Sequence, residues 1–394
     1  MIIGQFCDSY LPAVDGVINV VQNLSYTLNK DYGKCVIVAP KSPGYIDQGE
    51  VEVIRCHSMR IKQRPPYMFG MPLLDFKTQD KLLKAKFEIL HAHSPFTLGS
   101  AALWLARFKG IPVVASFHSK YYDDVFQATK SKMMAKAATQ IAMDFYRQAD
   151  IVLTVNNATI ATMREYGYAG EVKILPNGVN CAYPANPQAF IEKVNTMYSL
   201  DPCVPLLLFV GQQIWQKGIK TIIDACALLK ASGKEFKVLL AGEGHAAQEI
   251  KDYTQERGLS DRFIFAGLVK DREVLNGLYL RASLFVFPSI YDNAPLVVRE
   301  AAVMKCPSIV LKNTNTAEGI TDGENGFLCD NSPDALHSYI LSILSNDELR
   351  KKTGIIAAQT LPTSWEQVAD KAYSIYCEAI ANKFGKKLSK KRVR

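Results

Sequence analysis

The sequence contains no apolar run of the roughly 18 residues that a membrane-spanning helix requires, although 48% of its 394 residues are hydrophobic. The first six residues carry no basic side chain and no long apolar core, so they predict a strand and not a signal peptide. Charged residues make up 21% of the chain, a composition typical of a folded globular protein and unlike that of disordered or fibrous chains. A chain of this length is expected to fold as two domains.

Patterns for metal binding, disulfides and dinucleotide binding are also missing. The nine cysteines are scattered, without the paired spacings of zinc sites, so we expect mostly buried thiols in a reducing cytosol. Histidine occurs six times, and no HExxH pattern is present. Gly242-Glu243-Gly244 lacks the third glycine and the downstream acidic residue of a dinucleotide motif, which argues against a nicotinamide-dependent dehydrogenase. We therefore expect no bound metal and no cofactor.

Acidic residues are absent from residues 383–394, which contain seven basic residues. This tail supplies nearly all of the formal net charge of +8. The tail has one aromatic residue for base stacking, Phe384, and the chain has no nucleic-acid recognition motif, so nucleic acid is not expected as a partner. We expect the tail to contact an anionic membrane surface instead.

Short apolar runs alternate with helical patterns, which predicts parallel sheets covered by helices on both faces. The first series of runs lies at residues 2–6, 35–39, 51–54, 88–91, 113–116, 151–155 and 172–175. The second series lies at 205–210, 237–241, 263–265, 284–287, 308–311 and 326–328. The predicted fold is α/β, with two doubly wound Rossmann-like domains at 1–190 and 191–365, an amphipathic helix at 366–382 and a basic tail at 383–394.

The stretch 289–302 carries the most chemical information. It follows an apolar run, and Asp292 and Asn293 are good helix caps before Pro295, which suits a first helical position. A helix starting near Pro295 would present free N–H groups and a positive dipole end to an anion such as phosphate. Asp292 and Glu300 would be roughly 12 Å apart if both were helical, so each is expected to bind a different hydroxyl-bearing part of an elongated ligand such as a nucleotide-sugar. The alternative is a capped helix with one solvated glutamate.

Two more strand-to-helix loops have the composition of ligand sites. Gly16 stands at a helix start, where it lets backbone approach a ligand. Gly211 and Gln212 begin the loop that leads to Lys217, a candidate cation for a diphosphate. A plain connecting loop and a solvated lysine are the alternatives.

Three of the six histidines come just after predicted strands, where open α/β sheets bind ligands. These are His91, His93 and His118. For each one taken singly, a hydrogen-bonded structural histidine remains the alternative.

Residues 60–86 combine basic and apolar side chains, which suits an interface with anionic lipid. The candidate contact residues are Lys62, Arg64, Tyr67, Met68 and Phe69. An ordinary surface loop that packs on its own domain is the alternative.

An ordered series of motifs resembles glycosyltransferase family 4, the retaining nucleotide-sugar transferases of the GT-B fold, over nearly the whole chain. In the first half these motifs are the loop 11–17, the run 91–99, the segment 116–119 and the turn 176–179. In the second half they are 209–211, 217–218, 240–244, 265–267, 287–289 and 300–301. The resemblance implies two Rossmann-like domains facing a central cleft, with the C-terminal helix crossing back to the first domain. It assigns acceptor binding to the first domain and nucleotide-sugar binding to the second.

The resemblance also implies roles for single residues. Asp292 stands at the first position of the E-x7-E motif and would contact the donor sugar, whereas Glu300 would bind the ribose hydroxyls. The N–H groups around Leu296 and Val297 would meet the diphosphate, together with Lys217.

Gly16 matches the glycine loop near the reacting centre, and His118 matches the histidine beside the transferred sugar. Gly211, Gln212 and Asn293 complete the implied donor site. The family generally works without a bound metal.

Three departures from the family pattern affect the donor site. Asp292 is one methylene shorter than the usual glutamate. Asn293 and Pro295 stand where small glycine-type residues are common, and Gln212 replaces the usual arginine. They leave the donor preference open and permit a degenerate donor site.

The implied function is retaining transfer of a hexose from a nucleotide-sugar, a UDP-sugar ahead of a GDP-sugar. The expected acceptor is membrane-associated, first a diacylglycerol-type lipid and alternatively a precursor of a surface polysaccharide or glycan. A non-catalytic nucleotide-sugar-binding subunit is a further alternative. The expected location is the cytoplasm, peripheral at the inner face of the membrane.

Overall fold

The computed structural model describes residues 1–61 and 66–392. They form two compact units, Met1–Gly178 with Thr363–Arg394, and Val179–Pro362. The predicted residues Lys62 and Arg64 lie outside the described residues.

The first unit is built on a seven-stranded parallel sheet with the strand order β3-β2-β1-β6-β7-β8-β9. The sheet strands are β1 (Ile2–Phe6), β2 (Lys34–Pro40), β3 (Glu52–Cys56), β6 (Ile89–Ala92), β7 (Val113–Phe117), β8 (Ile151–Thr154) and β9 (Lys173–Ile174). Strands β4 (Ser58–Arg60) and β5 (Met68–Gly70) form a separate antiparallel pair. Every apolar run predicted for this half is a strand of the main sheet, and the β4–β5 pair was not predicted.

Helices follow the strands of the first unit and cover the sheet. They are α1 (Gly16–Asp31), α2 (Phe76–Lys84), α3 (Thr97–Lys109), α4 (Tyr121–Thr129), α5 (Lys132–Tyr146) and α6 (Asn157–Glu165). The strand order reverses direction between β1 and β6, so the loops after these two strands flank a topological switch point, where open α/β sheets bind ligands.

The second unit repeats this plan with a six-stranded parallel sheet of order β12-β11-β10-β13-β14-β15. Its strands are β10 (Leu206–Val210), β11 (Lys237–Ala241), β12 (Phe263–Gly267), β13 (Leu284–Phe287), β14 (Ser308–Leu311) and β15 (Phe327–Cys329). Its helices are α7 (Pro187–Tyr198), α8 (Ile219–Ala231), α9 (Ala247–Glu256), α10 (Arg272–Arg281), α11 (Leu296–Val303), α12 (Pro333–Leu344) and α13 (Asp347–Thr360). The switch point here lies between β10 and β13. The prediction of two doubly wound α/β domains is confirmed.

The predicted boundary of the first domain is residue 190, whereas the first segment of the first unit ends at Gly178. Residue 190 falls inside α7, and this helix packs closely on α10 of the second unit. A Cβ atom on Gly277 of α10 would lie 2.7 Å from the carbonyl oxygen of Phe190 and 2.8 Å from Val194. Helix α7 therefore belongs to the second core.

The last helix, α14 (Trp365–Arg392), returns to the first unit. The predicted apolar stripe packs into the core of that unit, with Trp365, Val368, Ala372 and Tyr376 buried beside strands of the sheet. The return of the C-terminal helix to the first domain is confirmed. The helix was predicted to end at residue 382, and it continues through most of the basic segment.

Most of the cysteine thiols are buried, as predicted, whereas Cys203 and Cys377 are exposed. Within residues 1–61 and 66–392, no helix is both long and apolar enough to cross a bilayer.

Candidate active site

The two loops at the switch point of the second unit meet because a glycine permits a very close backbone approach. Gly218 has a φ of 75°, a conformation that favours glycine, and a Cβ atom on it would lie 2.1 Å from the carbonyl oxygen of Pro288. The loop after β10 therefore lies directly on the loop after β13. Lys217, which precedes this glycine, is carried toward the predicted ligand stretch.

Lys217 forms an ion pair with Asp292, and only 11% and 17% of the two side chains are exposed. Ser289 donates its hydroxyl hydrogen to the second oxygen of Asp292, at 2.6 Å. The Lys217 ammonium lies 5.6 Å from the ring centroids of Phe287 and Tyr291, within cation–π range. Sequence reasoning identified both charged residues but not their pairing.

Glu300 is held inside the second unit by two donors. Arg272 donates to one carboxylate oxygen at 2.7 Å, and Tyr279 donates to the other at 3.2 Å. The Glu300 side chain is 13% exposed, so the alternative of a solvated glutamate is wrong. Burial, followed by the charge of Glu300, raises the pKa of the Tyr279 hydroxyl well above its usual value.

Arg272 was not predicted as a site residue. It is the first residue of α10 and follows Lys270 and Asp271, a mixed-charge run that is ordinary at a helix start. Its approach to Glu300 depends on the packing of α10 beside α11, which no local pattern reveals.

The start of α11 differs from its predicted capping. The cap position is Pro295 itself, and neither Asp292 nor Asn293 caps the helix through its side chain. The free N–H groups of the first turn belong to residues from Leu296 onward, including Val297. The prediction that a helix starts near Pro295 is confirmed. The prediction that Pro295 is its first residue is wrong, because the helix begins at Leu296.

The loop after β11 supports the loop after β10. A Cβ atom on Gly242 would lie 2.0 Å from the carbonyl oxygen of Gly211, and one on Gly244 would lie 2.3 Å from that of Gln213. The Gln213 amide donates to the Gly242 carbonyl at 2.8 Å. These glycines permit close backbone packing inside the fold, and the Gln212 side chain is exposed.

Asn293 lies beside Asp292 and is held by the loop after β14. The Asn315 amide donates to Asn293 Oδ1 at 2.9 Å, and the Thr316 hydroxyl donates to the backbone carbonyl of Asp292 at 3.4 Å. The loops after β10 and β14 therefore both hold the stretch before α11 in place.

In the first unit, Gly16 is the first residue of α1, behind the cap residue Asp15. Asp15 accepts from the Ile18 N–H at 2.8 Å and from the Tyr67 hydroxyl at 3.0 Å. A Cβ atom on Gly16 would meet no atom within 4 Å, so packing within the unit does not require glycine there.

The three histidines come together at the carboxyl edge of the first sheet. His91 bonds to Ser116 and Tyr376, each at 2.7 Å. His93 Nδ1 lies 3.2 Å from His118 Nε2. Burial lowers the pKa of His91 to about 3 and that of His118 to about 4, and it lowers the pKa of His93 well below the usual value.

All three histidines are therefore neutral at pH 7. For His91 the structural alternative is correct, since both ring nitrogens are bonded inside the core. Within the part of the chain that the structure describes, no group of three histidine, cysteine or acidic side chains is arranged to hold a metal ion.

The segment predicted to contact lipid forms the β4–β5 hairpin, a short 3-10 helix and α2. Tyr67 and Met68 are half-buried, whereas Phe69 is exposed. The most exposed apolar side chains of this segment are not among the candidate contact residues: Leu74 is 76% exposed and Phe76 is 81% exposed. Lysines at 77, 81 and 84 follow on α2. We refer to Phe69, Leu74, Phe76 and these lysines as the hairpin–α2 surface.

Both halves of the chain match family models. Residues 14–183 match Glycosyltransferase Family 4, and residues 200–360 match Glycosyl transferases group 1.

Two relatives share the description alpha-monoglucosyldiacylglycerol synthase. The protein from Streptococcus pneumoniae is 23% identical over 400 residues, covering 99% of this chain and 89% of the relative. The protein from Acholeplasma laidlawii is 25% identical over 409 residues, covering 99% and 100%. Among solved structures, Anabaena Alr3699/HepE in complex with UDP matches with a TM-score of 0.74 at 15% identity, covering 96% of this chain and all of that one (100%). This last likeness concerns the fold.

Proposed function

This chain belongs to the glycosyltransferases that combine a family 4 domain with a group 1 domain, and from that premise we propose that it transfers a hexose from a UDP-sugar to a membrane lipid. The configuration at the anomeric carbon is retained, and the first acceptor is a diacylglycerol-type lipid. The first unit binds the acceptor, and the second unit binds the donor.

The observation that carries this proposal is the grouping at the switch point of the second unit. A buried lysine, a carboxylate and a free helix N-terminus adjoin each other there, and a second carboxylate lies further along the same helix. A nucleotide-sugar has the matching sequence of groups: a sugar with hydroxyls, a doubly charged diphosphate and a ribose.

Lys217 and the N–H groups of Leu296 and Val297 are proposed to bind the diphosphate. Negative charge develops on this leaving group as the sugar departs, and cations and helix N-termini stabilise it. The ammonium has three N–H donors, so Lys217 can keep Asp292 as a partner while it binds phosphate oxygens. We propose that this positive charge comes from the protein, without a bound metal.

Asp292 is proposed to accept a hydrogen bond from the transferred sugar. Its carboxylate already accepts from Lys217 and Ser289, and a carboxylate has about four acceptor positions. The remaining positions are available to a hydroxyl of that sugar.

Glu300 is proposed to bind the ribose hydroxyls. Arg272 and Tyr279 use one position on each of its two oxygens and fix the carboxylate in place. Binding then needs little reorganisation, because the acceptor is already oriented. Gly211 and Gln212 are proposed to border the nucleotide.

The lipid acceptor is supported by the relatives and by the surface of the first unit. Both relatives are named for an alpha-glucosyl diacylglycerol product, and an α-product from an α-linked UDP-glucose is the outcome of retention. The hairpin–α2 surface joins exposed apolar side chains to lysines, a combination that binds anionic lipid surfaces. We propose that the protein works peripherally at the cytoplasmic face of the membrane.

A surface glycan precursor is the alternative acceptor. A non-catalytic nucleotide-sugar-binding subunit is the alternative function, and one observation favours it: Asp292, shorter than the family's glutamate, is engaged by Lys217.

The test is turnover of labelled UDP-glucose and GDP-mannose with vesicles that contain diacylglycerol and anionic phospholipid. Label in the lipid fraction, with an α-linkage by NMR, is the expected result. Nucleotide binding without turnover across donors and acceptors would point to the non-catalytic subunit, and label only in added glycan precursors would replace the lipid acceptor.

A further inference from the structure

An apolar groove lies between helices α3 and α5 of the first unit. Leu103, Trp104 and Phe108 line it from α3, and Ile141 and Phe145 line it from α5. Its volume is about 640 Å³, which falls within the range of about 300 to 1,000 Å³ that is usual for small-molecule sites. All of these residues belong to the first unit, so the groove is formed by that unit alone.

The rim of this groove exposes large apolar side chains. Phe108 is 70% exposed and Ile141 is 68% exposed. Trp104 is half-buried, and its ring stacks on that of Phe108 with 6.2 Å between the centroids. Met133, two turns before Ile141 on α5, is also exposed. Exposed apolar side chains gathered in one patch mark a surface that binds an apolar ligand or partner.

Helices α2, α3 and α5 cover the same face of the first sheet. Leu82, Leu105 and Met143, one from each helix, share one buried core, whereas α1 and α14 contribute to the core on the other face. The Lys109 ammonium at the end of α3 donates to two backbone carbonyl oxygens at the end of α2, at 2.7 and 2.6 Å. The groove therefore lies in the same helical layer as the α2 part of the hairpin–α2 surface.

This helical layer is basic. The three helices contain seven basic residues, Lys77, Lys81, Lys84, Arg107, Lys109, Lys132 and Lys136. They contain two acidic residues, Asp80 and Asp144, and each of these forms an ion pair with a nearby cation. A symmetric dimer through this layer would bring like charges together, which disfavours a second copy as the occupant. Exposed apolar side chains among cations match an anionic lipid surface.

Arg107 is the candidate phosphate ligand of the groove. It lines the groove near the end of α3, is exposed, and donates to the Gln148 side chain just after α5. A guanidinium has five N–H donors, so Arg107 can keep this hydrogen bond while it binds phosphate oxygens. An acyl chain along the apolar lining and a phosphate on Arg107 would match both parts of the groove.

We propose that this groove binds an anionic phospholipid of the bilayer, with one acyl chain between α3 and α5 and the phosphate on Arg107. The lipid is a ligand that is not consumed, separate from the acceptor of the sugar. This inference deepens the proposed membrane association and rests on it. It extends the membrane-binding area from the hairpin–α2 surface to the whole layer of α2, α3 and α5.

Trp104 permits a direct test, because bromine on an acyl chain quenches tryptophan fluorescence only at short range. The full chain is mixed with vesicles of phosphatidylglycerol that carries brominated acyl chains. The expected result is quenching in the wild type that Trp104→Phe largely abolishes, since Trp365 is buried and Trp215 lies in the second unit. Equal quenching of the two proteins, or none while the protein co-sediments with the vesicles, would overturn the proposal.

The source of the acyl chain is tested with a second probe. Brominated diacylglycerol is diluted into unbrominated phosphatidylglycerol at the mole fraction used for the brominated phospholipid. Weaker quenching by diacylglycerol is expected, because this lipid has no phosphate for Arg107. Stronger quenching by diacylglycerol would assign the groove to the acceptor and overturn the phospholipid assignment.

A groove-filling variant separates chain insertion from flat adhesion to the bilayer. Ser100 lines the groove, is exposed and precedes Trp104 by one turn. Ser100→Phe adds apolar surface but fills the groove, so quenching of Trp104 should fall at least about threefold. The matched control is Ser374→Phe, at an exposed position of α14, which should quench like the wild type. Stronger quenching in Ser100→Phe would contradict insertion of a chain.

The role of charge is measured by vesicle co-sedimentation. Arg107→Gln should bind phosphatidylglycerol vesicles about tenfold more weakly, because a charge-assisted hydrogen bond to phosphate is lost. Lys30→Gln, at an exposed lysine of α1, is the control and should bind normally. Equal binding of phosphatidylglycerol and phosphatidylcholine vesicles by the wild type would contradict the proposal. A dimer in sedimentation equilibrium that Phe108→Ser dissociates would assign the groove to a second copy.

None of these measurements requires turnover. Quenching by brominated phosphatidylglycerol in a protein that transfers no sugar would support the lipid site and count against the proposed function alone. Sugar transfer without quenching would leave the proposed function in place and overturn the lipid site.

Discussion

The ammonium of Lys217 lies between the Asp292 carboxylate and two aromatic rings. The carboxylate compensates the charge of the nearly buried ammonium. Removal of either Lys217 or Asp292 would leave the other charge without its ion-pair partner. A surface lysine would pay for ligand binding by losing side-chain freedom, whereas this one is already ordered.

Replacing Lys217 by methionine should weaken UDP binding about 30-fold, since a charge-assisted hydrogen bond to phosphate is worth about 2 kcal/mol. Binding of uridine, which has no phosphate, should be unchanged. Lys220→Met is the matched control, because this lysine is exposed and pairs with Asp224 at 3.1 Å. Calorimetric titrations measure both ligands, and an equal loss for UDP and uridine would refute the diphosphate role.

The same substitution should lower the free energy of unfolding of the second unit by about 3 kcal/mol, because Asp292 is left unpaired in a nearly buried site. Adding Asp292→Asn should restore part of this loss. Urea denaturation of the single and double variants measures the difference, and no recovery in the double variant would mean that the ion pair does not account for the loss.

Sequence alone identified most of the charged residues of the candidate site but not their partners. Lys217, Asp292 and Glu300 follow from loop position and motif order. The pairing of Lys217 with Asp292, and that of Glu300 with Arg272, connect residues far apart in the chain. Such contacts depend on how strands and helices pack, and a single sequence carries no direct signal for them.

At the scale of elements, the site depends on Gly218, which brings two loops into contact. Gly218→Ala should lower the free energy of unfolding by about 3 kcal/mol or more, since the positive φ costs about 1 kcal/mol and the Cβ would collide with the Pro288 carbonyl. Gly233 has the same φ of 75° with no atom within 4 Å of a Cβ. Gly233→Ala should therefore show the φ cost alone. Equal losses in urea denaturation would mean that the close approach contributes nothing.

The hairpin–α2 surface is a second element with a proposed role. Leu74→Ser with Phe76→Ser should reduce binding to anionic vesicles by more than about tenfold, because two large apolar side chains no longer enter the lipid. The control is Ile355→Ser, at a 47% exposed apolar side chain of α13 in the second unit. Co-sedimentation with vesicles measures the effect. Equal binding of the wild type and all variants would show that this surface does not contribute to vesicle binding.

Elements were predicted well where one signal dominates. All of the apolar runs became parallel strands, because strands buried on both faces read as continuous hydrophobic segments. The β4–β5 pair was missed, since it is short and mixes polar with apolar residues. The predicted capping of α11 by Asp292 is wrong, because the Asp292 carboxylate accepts hydrogen bonds from Lys217 and Ser289 instead.

At the scale of the whole molecule, the doubly wound plan followed from the alternation of strands and helices, but the limit of the first unit did not. The boundary lies in the turn 176–179 and not at residue 190, because α7 contributes to the second core. The return of α14 to the first unit was implied by the family resemblance and not by the pattern of the helix itself.

Burial of neutral histidines makes the stability of the first unit depend on pH. Unfolded histidine titrates near 6.5, whereas the folded pKa is about 3 for His91 and about 4 for His118. Between pH 6.5 and 4 the unfolded chain binds protons that the folded chain does not. The free energy of unfolding should therefore decrease as the pH is lowered, by about 1.4 kcal/mol per pH unit for each such histidine.

Urea denaturation at pH 7 and pH 5 measures this slope, with tryptophan fluorescence as the signal. A Trp215→Phe background leaves only Trp104 and Trp365, so that the signal comes from the first unit. His118→Gln should make the decline shallower. His245→Gln, at an exposed histidine of the second unit, should leave it unchanged. A decline that His118→Gln does not alter would show that burial of this histidine is not its cause.

We propose that the switch point of the second unit binds a nucleotide-sugar through Glu300 and the start of α11. The most direct measurement of this binding is a calorimetric titration of UDP and UDP-glucose into the wild type and Glu300→Gln, with Glu256→Gln at an exposed position of α9 as the control. We predict binding to the wild type and the control, and an affinity about tenfold lower or weaker still in Glu300→Gln, through loss of charge-assisted hydrogen bonds to ribose. Equal affinity of all three proteins for UDP would contradict the account.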